Sequence, residues 1–212
     1  QTGTGKTAAF ALPLLQNLQP AQHHVQALVL CPTRELALQV AQAVEQFGRN
    51  QAARVLAVYG GQPYGPQISR LKRGVDVIVG TPGRLIDLLD RKAVDLSRVQ
   101  TIVLDEADEM LSMGFIDDIE KILAGTPAAR QTALFSATLS APIRRLADKY
   151  MREPQSIQVQ RDHVTVAAIE QRHYLVNQGD KLAALTRLFE METVTSALVF
   201  VRTRAGTAEL AN

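Results

Sequence analysis

Five short runs dominated by Val, Ile and Leu, at residues 25–31, 54–59, 75–80, 99–104 and 132–136, alternate with amphipathic segments at 34–47, 82–91, 115–123 and 141–150. A continuous apolar run of this length suits a strand buried on both faces, and strands that alternate with helices call for a parallel sheet covered on both sides. Several of the amphipathic segments open after Thr, Ser or Pro, as helix starts do. The expectation is therefore an α/β chain with a mostly parallel sheet. Ligands of such sheets bind outside the carboxyl ends of the strands, so the residues just after each run are where chemistry is sought.

A polar stretch after Met151-Arg152-Glu153-Pro154 interrupts the alternation. Beyond it, residues 169–176 alternate like a strand, 180–191 like a capped helix and 196–201 like a buried strand, and Arg204 begins a helix. The expected organisation is a first domain over 1–154, a linker over 155–167 and the opening of a second α/β domain over 168–212. One βαβ unit cannot close a core, so the second domain is expected to be incomplete. The chain opens at Gln1-Thr2-Gly3-Thr4-Gly5-Lys6-Thr7 with no initiator Met and inside a loop, so it is expected to be a fragment.

Composition narrows the class. With 46% hydrophobic and 21% charged residues the chain is neither disordered nor low-complexity. Its formal net charge of +2 excludes a bulk polycation, so any nucleic-acid contact must be local. Cys31 is the single cysteine, which excludes an intramolecular disulfide and a Cys-built zinc site and suits a reducing, cytoplasmic setting. No apolar run approaches the ~20 residues that span a bilayer, so no membrane partner is expected.

Gly3, Gly5, Lys6 and Thr7 match the closing half of a phosphate-binding P-loop. In that loop glycines let backbone N–H groups converge on phosphate oxygens, the lysine reaches the β/γ-phosphates and the hydroxyl ligates Mg²⁺. The same residues satisfy G-x-G-x-x-A as Gly3-Thr4-Gly5-Lys6-Thr7-Ala8. A dinucleotide site also needs an acid about 20 residues on, at the end of the next strand. Here that strand ends at Cys31-Pro32, with no acid before Glu35.

The fourth apolar run ends in Asp105-Glu106-Ala107-Asp108. An acid at the end of a buried strand suits Mg²⁺ in phosphoryl transfer, and an adjacent acid suits the attacking water, so Asp105 is assigned the metal and Glu106 the water. Glu109, Asp117, Asp118 and Glu120 read as a solvated helix face. Polar groups also follow the other runs: Thr33-Arg34-Glu35, Gly60-Gly61, Thr81-Pro82-Gly83-Arg84 and Ser136-Ala137-Thr138. Arg34 and Arg84 each set a cation beside helix-start N–H groups, which suits a phosphate backbone. With no Trp and 5% aromatics, base stacking is not expected to lead recognition.

Together these residues resemble the DEAD-box RNA helicases of helicase superfamily two. The resemblance rests on Gln1 to Thr7 (motif I without its first residue), Pro32-Thr33-Arg34-Glu35-Leu36-Ala37 (motif Ia), Gly60-Gly61, Thr81-Pro82-Gly83-Arg84 (motif Ib) and Asp105-Glu106-Ala107-Asp108. Ser136-Ala137-Thr138 (motif III) and Val199-Phe200-Val201-Arg202-Thr203 (motif IV) complete it. It spans essentially the whole chain, and residues 104–114 and 131–138 resemble bacterial members, particularly the cold-shock subgroup linked to ribosome assembly and RNA turnover.

The resemblance implies a RecA-like P-loop NTPase domain followed by the start of a second one. It implies ATP and Mg²⁺ as cofactors, with Gln1, Thr2, Gly3, Thr4, Gly5, Lys6 and Thr7 on the nucleotide, Thr7 and Asp105 on the metal, and Lys6, Asp105 and Glu106 in catalysis. It further implies RNA along Pro32, Thr33, Arg34, Glu35, Gly60, Gly61, Thr81, Pro82, Gly83 and Arg84, with little sequence specificity. Ser136 and Thr138 would couple hydrolysis to strand separation through Asp108. Cys31, where many members carry Ala, and Leu139, where Met or Phe is frequent, depart from the pattern. The family's adenine-selecting motif and second-domain arginines lie outside these 212 residues, so the chain alone is expected to hydrolyse ATP poorly. A P-loop ATPase acting on DNA or protein, and an RNA-binding module with a vestigial ATP site, stand as the alternatives.

Overall fold

The computed structural model describes residues 5–19, 22–158, 170 and 172–211. The chain divides into two units, Gln1–Ser156 and Ile157–Asn212. In the first unit the elements run α1 (Lys6–Gln16), β1 (Ala27–Leu30), α2 (Arg34–Gly48), β2 (Val55–Val58), α3 (Tyr64–Lys72), β3 (Val77–Gly80) and α4 (Pro82–Asp90), then β4 (Thr101–Leu104), α5 (Ala107–Ser112), α6 (Ile116–Ala124), β5 (Gln131–Leu134) and α7 (Ala141–Tyr150). Four of the five apolar runs contain one strand each, and β5 starts one residue before the fifth run. Two helices fall outside the amphipathic segments expected from the sequence: α3, whose Tyr64, Ile68 and Leu71 pack against the core at helical spacing, and α5, at six residues too short to show a period.

All five strands pair in parallel in the order β2-β3-β1-β4-β5. After β1 the chain leaves toward the β2 side, whereas after β4 it leaves toward β5. The C-terminal ends of the adjacent strands β1 and β4 therefore flank the switch point, where open sheets of this kind hold ligands. The register makes these ends level: Leu30 lies opposite both Gly80 and Leu104, and Leu104 opposite Leu134. Ladder bonds continue one residue further, from Cys31 N–H to Gly80 O (2.9 Å), Asp105 N–H to Leu30 O (2.9 Å) and Phe135 N–H to Leu104 O (2.8 Å). Gly80 is required where it stands, because a Cβ there would lie 2.4 Å from Val58 O, which already accepts from Thr81 N–H.

The period of two along the strands sorts the core into two layers. Ala27, Val29, Val55, Val77, Val79 and Val103 pack with Phe10, Leu14 and Leu15 of α1 and Val40 and Val44 of α2. On the opposite face Leu28, Leu30, Leu56, Ile78, Ile102 and Leu104 pack with Leu85 and Leu88 of α4, Met110 of α5, Ile119 and Ile122 of α6, and Ile143 and Leu146 of α7. Each such side chain taken fully out of water contributes about 1.5–3 kcal/mol. β5 is the exception: an edge strand, only half-buried.

In the second unit the described elements are a 3-10 turn at Gln178–Asp180, α8 (Lys181–Met191) and α9 (Arg204–Ala211). The two strands expected there do not form among the described residues. Residues 172–176 and 196–201 form no strand or helix, with Leu175, Leu198 and Phe200 96%, 81% and 88% exposed. An apolar run becomes a buried strand only where neighbouring strands accept its hydrogen bonds and helices cover it, and no sheet is present in this unit among the described residues. Residues 159–169 and 171, which include most of the expected linker, lie outside the described residues. No described helix is long and apolar enough to cross a membrane.

At the N-terminal ends of the strands a polar network closes the first unit. Asp76, 7% exposed, accepts from the Arg54 backbone N–H (2.9 Å), Arg54 Nε (2.9 Å), Arg54 Nη2 (2.6 Å) and Gln26 Nε2 (3.3 Å). Gln26 in turn exchanges two bonds with the Gln19 backbone, and Arg54 Nη2 also donates to Gln22 O. Burial pushes the Asp76 carboxyl up, but the Arg54 and Gln26 donors outweigh it and hold it below the usual carboxylate range. A depressed carboxylate stabilises the fold above its unfolded pKa of about 3.9, and that contribution is lost as pH falls through the folded value. Asp76→Ala, which strands the Arg54 and Gln26 donors, should cost about 3 kcal/mol in urea unfolding at pH 7. The gap between variant and parent should narrow below about pH 4, and a gap independent of pH would show that the charge plays no part.

Candidate functional site

The switch crevice is assembled from α1 and the residues that follow β1 and β4. Gln1, Thr2, Gly3 and Thr4 lie outside the described residues. Gly5 caps α1 with φ 74°, a left-handed conformation that favours glycine, and its carbonyl accepts from Ala9 N–H (2.9 Å). Lys6 and Thr7 thus occupy the first turn of α1, where free N–H groups and the helix dipole favour an anion. Lys6 is near enough to Asp105 for its charge to act on that carboxyl.

Asp105 is 3% exposed. Its backbone is held in the ladder by Leu30 O, and its Oδ1 accepts from Glu106 N–H (3.1 Å). Burial pushes its carboxyl above the usual range and the neighbouring Glu106 charge adds to this, while Lys6 opposes it. Such a carboxylate gains by meeting a cation. The oxygen donors are one buried carboxylate and a hydroxyl at the head of α1, with the Lys6 charge close by. This set fits Mg²⁺, which keeps several waters and binds one or two carboxylates together with phosphate oxygens. Among the described residues no three His, Cys, Asp or Glu side chains gather into an all-protein cage. Cys31, fully buried at the end of β1, has its thiol pushed far up by burial and then by the charges of Asp105 and Glu106, which rules it out as a thiolate ligand or nucleophile here.

Glu106 caps α5 at φ 51° and ψ 51°, a left-handed conformation that is uncommon for a residue with a Cβ. Strain of this kind costs of order 1–3 kcal/mol and clusters at functional sites. The turn swings the chain away from the strand axis and directs Ala107 N–H to Phe135 O (3.0 Å), tying α5 to β5. One turn on, Asp108 Oδ2 accepts from Thr138 N–H (3.1 Å) and Thr138 Oγ1–H (3.2 Å), and Ser136 Oγ–H donates to Thr138 O (2.7 Å). Burial raises the Asp108 carboxyl, but the Ser136 and Thr138 donors outweigh it and hold it low. Asp108, Ser136 and Thr138 therefore form one bonded cluster between the β4 and β5 edges.

The strand-end residues on the β2–β3–β1 side are arranged more variously. Pro32 is buried, and Thr33 caps α2 through a bond from Leu36 N–H to its Oγ1 (3.2 Å). Arg34 and Glu35 are exposed, and the Arg34 guanidinium lies 5.0 Å from the Tyr59 ring centroid. Gly60 and Gly61 are exposed, with nothing within 4 Å of either would-be Cβ. Thr81 caps α4 by position only, Pro82 is buried and Gly83 half-buried. Arg84, expected from the sequence to suit a phosphate backbone, is 7% exposed, and its Nη2 donates to Gln62 O (2.9 Å). The aromatic partners Tyr59 and Tyr64 were not singled out by sequence reasoning. Their only signal is that they bracket Gly60-Gly61.

Residues 1–146 match the DEAD/DEAH box helicase family. The chain is 49% identical over 211 residues to the DEAD-box ATP-dependent RNA helicase CshA of Bacillus subtilis (strain 168), covering 100% of the chain and 43% of that protein. It is 52% identical over 211 residues to the RNA helicase CrhR of Synechocystis sp., covering 99% of the chain and 43% of that protein. The chain thus spans less than half the length of these relatives. Among solved structures, a DEAD box protein from the hyperthermophile Methanococcus jannaschii superposes with a TM-score of 0.73 at 42% identity, over 100% of this chain and 56% of that one. The P-loop helix, the Asp105-Glu106-Ala107-Asp108 strand end and the parallel sheet that aligns them thus meet a sequence match over more than half the chain: it belongs to the DEAD/DEAH box helicase family.

Proposed function

We propose that this chain provides the nucleotide-binding part of an ATP-dependent RNA helicase, in which ATP and Mg²⁺ bind at the switch crevice and hydrolysis drives local RNA duplex separation. The observation that carries the reading is the buried Asp105 carboxylate at the β4 end, beside Lys6 and backed by the strained Glu106. On this reading Gly3, Gly5 and the head of α1 bind phosphate through backbone N–H groups, and Lys6 adds a point charge. Mg²⁺ at Thr7 and Asp105 would supply neutralisation of phosphoryl charge. Glu106, next to the Asp105 carboxylate in sequence, orients the attacking water and accepts its proton. Alone, the chain turns over ATP poorly, because the arginines that stabilise transition-state charge are supplied by a second domain.

RNA is the partner on this reading. Backbone N–H groups at the heads of α2 and α4, together with Arg34 and the open Gly60-Gly61 loop, present donors along one edge of the sheet, and such contacts read phosphate rather than sequence. The Asp108–Thr138–Ser136 cluster carries the state of the Asp105-Glu106 turn to β5 and α7. The lone buried thiol suits a reducing cytoplasm. The likeness of residues 104–114 and 131–138 to cold-shock members supports work in ribosome assembly or RNA turnover.

In the full-length reading frame, Glu106→Gln should lower ATP turnover by at least about 100-fold while ATP and RNA affinities stay within a few-fold, measured by steady-state hydrolysis and fluorescence anisotropy. Turnover that survived would contradict the water-orienting role, and equal stimulation of the parent by RNA and DNA would contradict the RNA assignment. Thr138→Val removes one of the two bonds from Thr138 to Asp108, worth about 1.5–3 kcal/mol to a charged acceptor. ATP hydrolysis should persist while duplex unwound per ATP falls about tenfold or more. A parallel loss of both would assign Thr138 to hydrolysis itself.

A further inference from the structure

The rings of Phe10 and Phe135 join α1 to the end of β5. Their centroids lie 5.3 Å apart at an interplanar angle of 56°, a favourable tilted aromatic contact. Phe10 stands three residues after Thr7, on the same face of α1, and is the first buried side chain of that helix. Phe135 directly follows β5 and is half-buried against the layer that α1 and α2 form. Its backbone clasps the turn after β4 from both sides. The Phe135 N–H donates to Leu104 O (2.8 Å), and its carbonyl accepts from Ala107 N–H (3.0 Å). Asp105 and Glu106 are the two residues between those contacts.

The two oxygen donors suited to Mg²⁺ come from separate pieces of chain, Thr7 from the head of α1 and Asp105 from the end of β4. Asp105 is fixed by the ladder bond to Leu30 O, whereas α1 rests on the sheet through the side chains of Phe10, Ala11, Leu14 and Leu15. Of these, Phe10 is nearest in sequence to Lys6 and Thr7. Mg²⁺ demands near-ideal octahedral geometry with oxygens at about 2.0–2.1 Å, and a site of this kind must be held within about 0.5 Å. The head of α1 therefore needs a defined position against the β4 end. Tilted rings favour one mutual orientation, so the pair specifies a position as well as a contact.

We infer that Phe135 is a positioning residue: by holding Phe10 while clasping the Asp105-Glu106 turn, it sets the Thr7 hydroxyl against the Asp105 carboxylate so that both meet one Mg²⁺. The inference rests on the nucleotide reading above and adds to it two residues outside every motif of the chain. It separates two parts of nucleotide binding. The phosphate contacts of Gly5 and Lys6 belong to α1 and its cap alone, so they do not depend on the ring pair. Thr7 and Asp105 share a metal only while α1 and β4 are in register, so that sharing does depend on it. Because the two rings act together, removing either should have the same consequence, and removing both should add little.

The test is titration calorimetry of ATP on the protein in its full-length reading frame, with Mg²⁺ and with EDTA, on variants that urea unfolding shows to be folded. The readout is the ratio of the two affinities. Phe135→Leu and Phe10→Leu, which keep an apolar side chain without the ring, should each lower that ratio by about 3- to 10-fold and leave the affinity in EDTA within about 2-fold. The double variant should match either single one. Phe135→Tyr, which keeps the ring at a half-buried position, should retain the ratio. Ile122→Val, which opens a small cavity in the opposite core layer, should lower stability and leave the ratio unchanged. If Phe10→Leu does not fold, the Phe135→Leu and Phe135→Tyr pair decides the matter. Phe135→Leu with the parent's ratio, or Phe135→Tyr falling as far as Phe135→Leu, would overturn the positioning role. Losses at the two rings that simply multiply would overturn it as well, and so would a lowered ratio in Ile122→Val, which would trace the effect to stability alone. A parent that binds ATP equally with Mg²⁺ and EDTA would instead overturn the metal reading of the crevice, and the inference with it.

Discussion

The bond from Asp105 N–H to Leu30 O holds this structure's chemistry in place. It is the last rung between β1 and β4, the two neighbouring strands whose chains leave in opposite directions, and it pins a carboxylate at the mouth of the gap that opens there. The backbone is fixed by the ladder and the side chain is closed in by the sheet end, so the carboxyl sits where water cannot fully solvate its charge. Lys6, arriving from α1, is the counterweight. A cation and phosphate oxygens between them would satisfy both.

That arrangement depends on strain and close packing elsewhere. Glu106 accepts a left-handed backbone so that the chain can turn off β4 into α5 within one residue. Gly80 lets β2 and β3 approach closely enough for Thr81 to be held by Val58 O, which aligns the α4 head with the other strand ends. At the opposite ends of the strands the Asp76–Arg54–Gln26 network absorbs the buried polar groups. The strained Glu106 turn and the buried Asp105 carboxyl thus stand at the carboxyl-end edge, while the Asp76 network closes the opposite ends of β2 and β3.

The parallel sheet was legible because Val-, Ile- and Leu-rich runs of buried strands contrast with amphipathic helices, and residues such as Leu28 and Val29 alternate between the two core layers as period-two patterning requires. The acids at the β4 end were legible for the same reason: polar residues directly after a buried run stand out. Burial of a polar side chain was not legible, and Arg84 illustrates this. Its position at a helix start reads as a cation suited to phosphate, whereas Tyr64, 20 residues earlier in sequence, covers it by a contact between two helices that no local pattern encodes. The Val-rich run at 196–201 shows the converse limit, since strand propensity is expressed only where a neighbouring strand can pair.

Mg²⁺ dependence of ATP binding tests the central claim most directly, because it interrogates Asp105 without requiring turnover. By titration calorimetry on the parent protein and on Asp105→Asn, which keeps the backbone bond to Leu30 and the side-chain volume, the parent should bind ATP at least about 10-fold more tightly with Mg²⁺ than with EDTA. The variant should lose that difference. An Asp105→Asn protein that retained the full Mg²⁺ dependence would contradict the assignment of the buried carboxylate, and with it this account of the crevice.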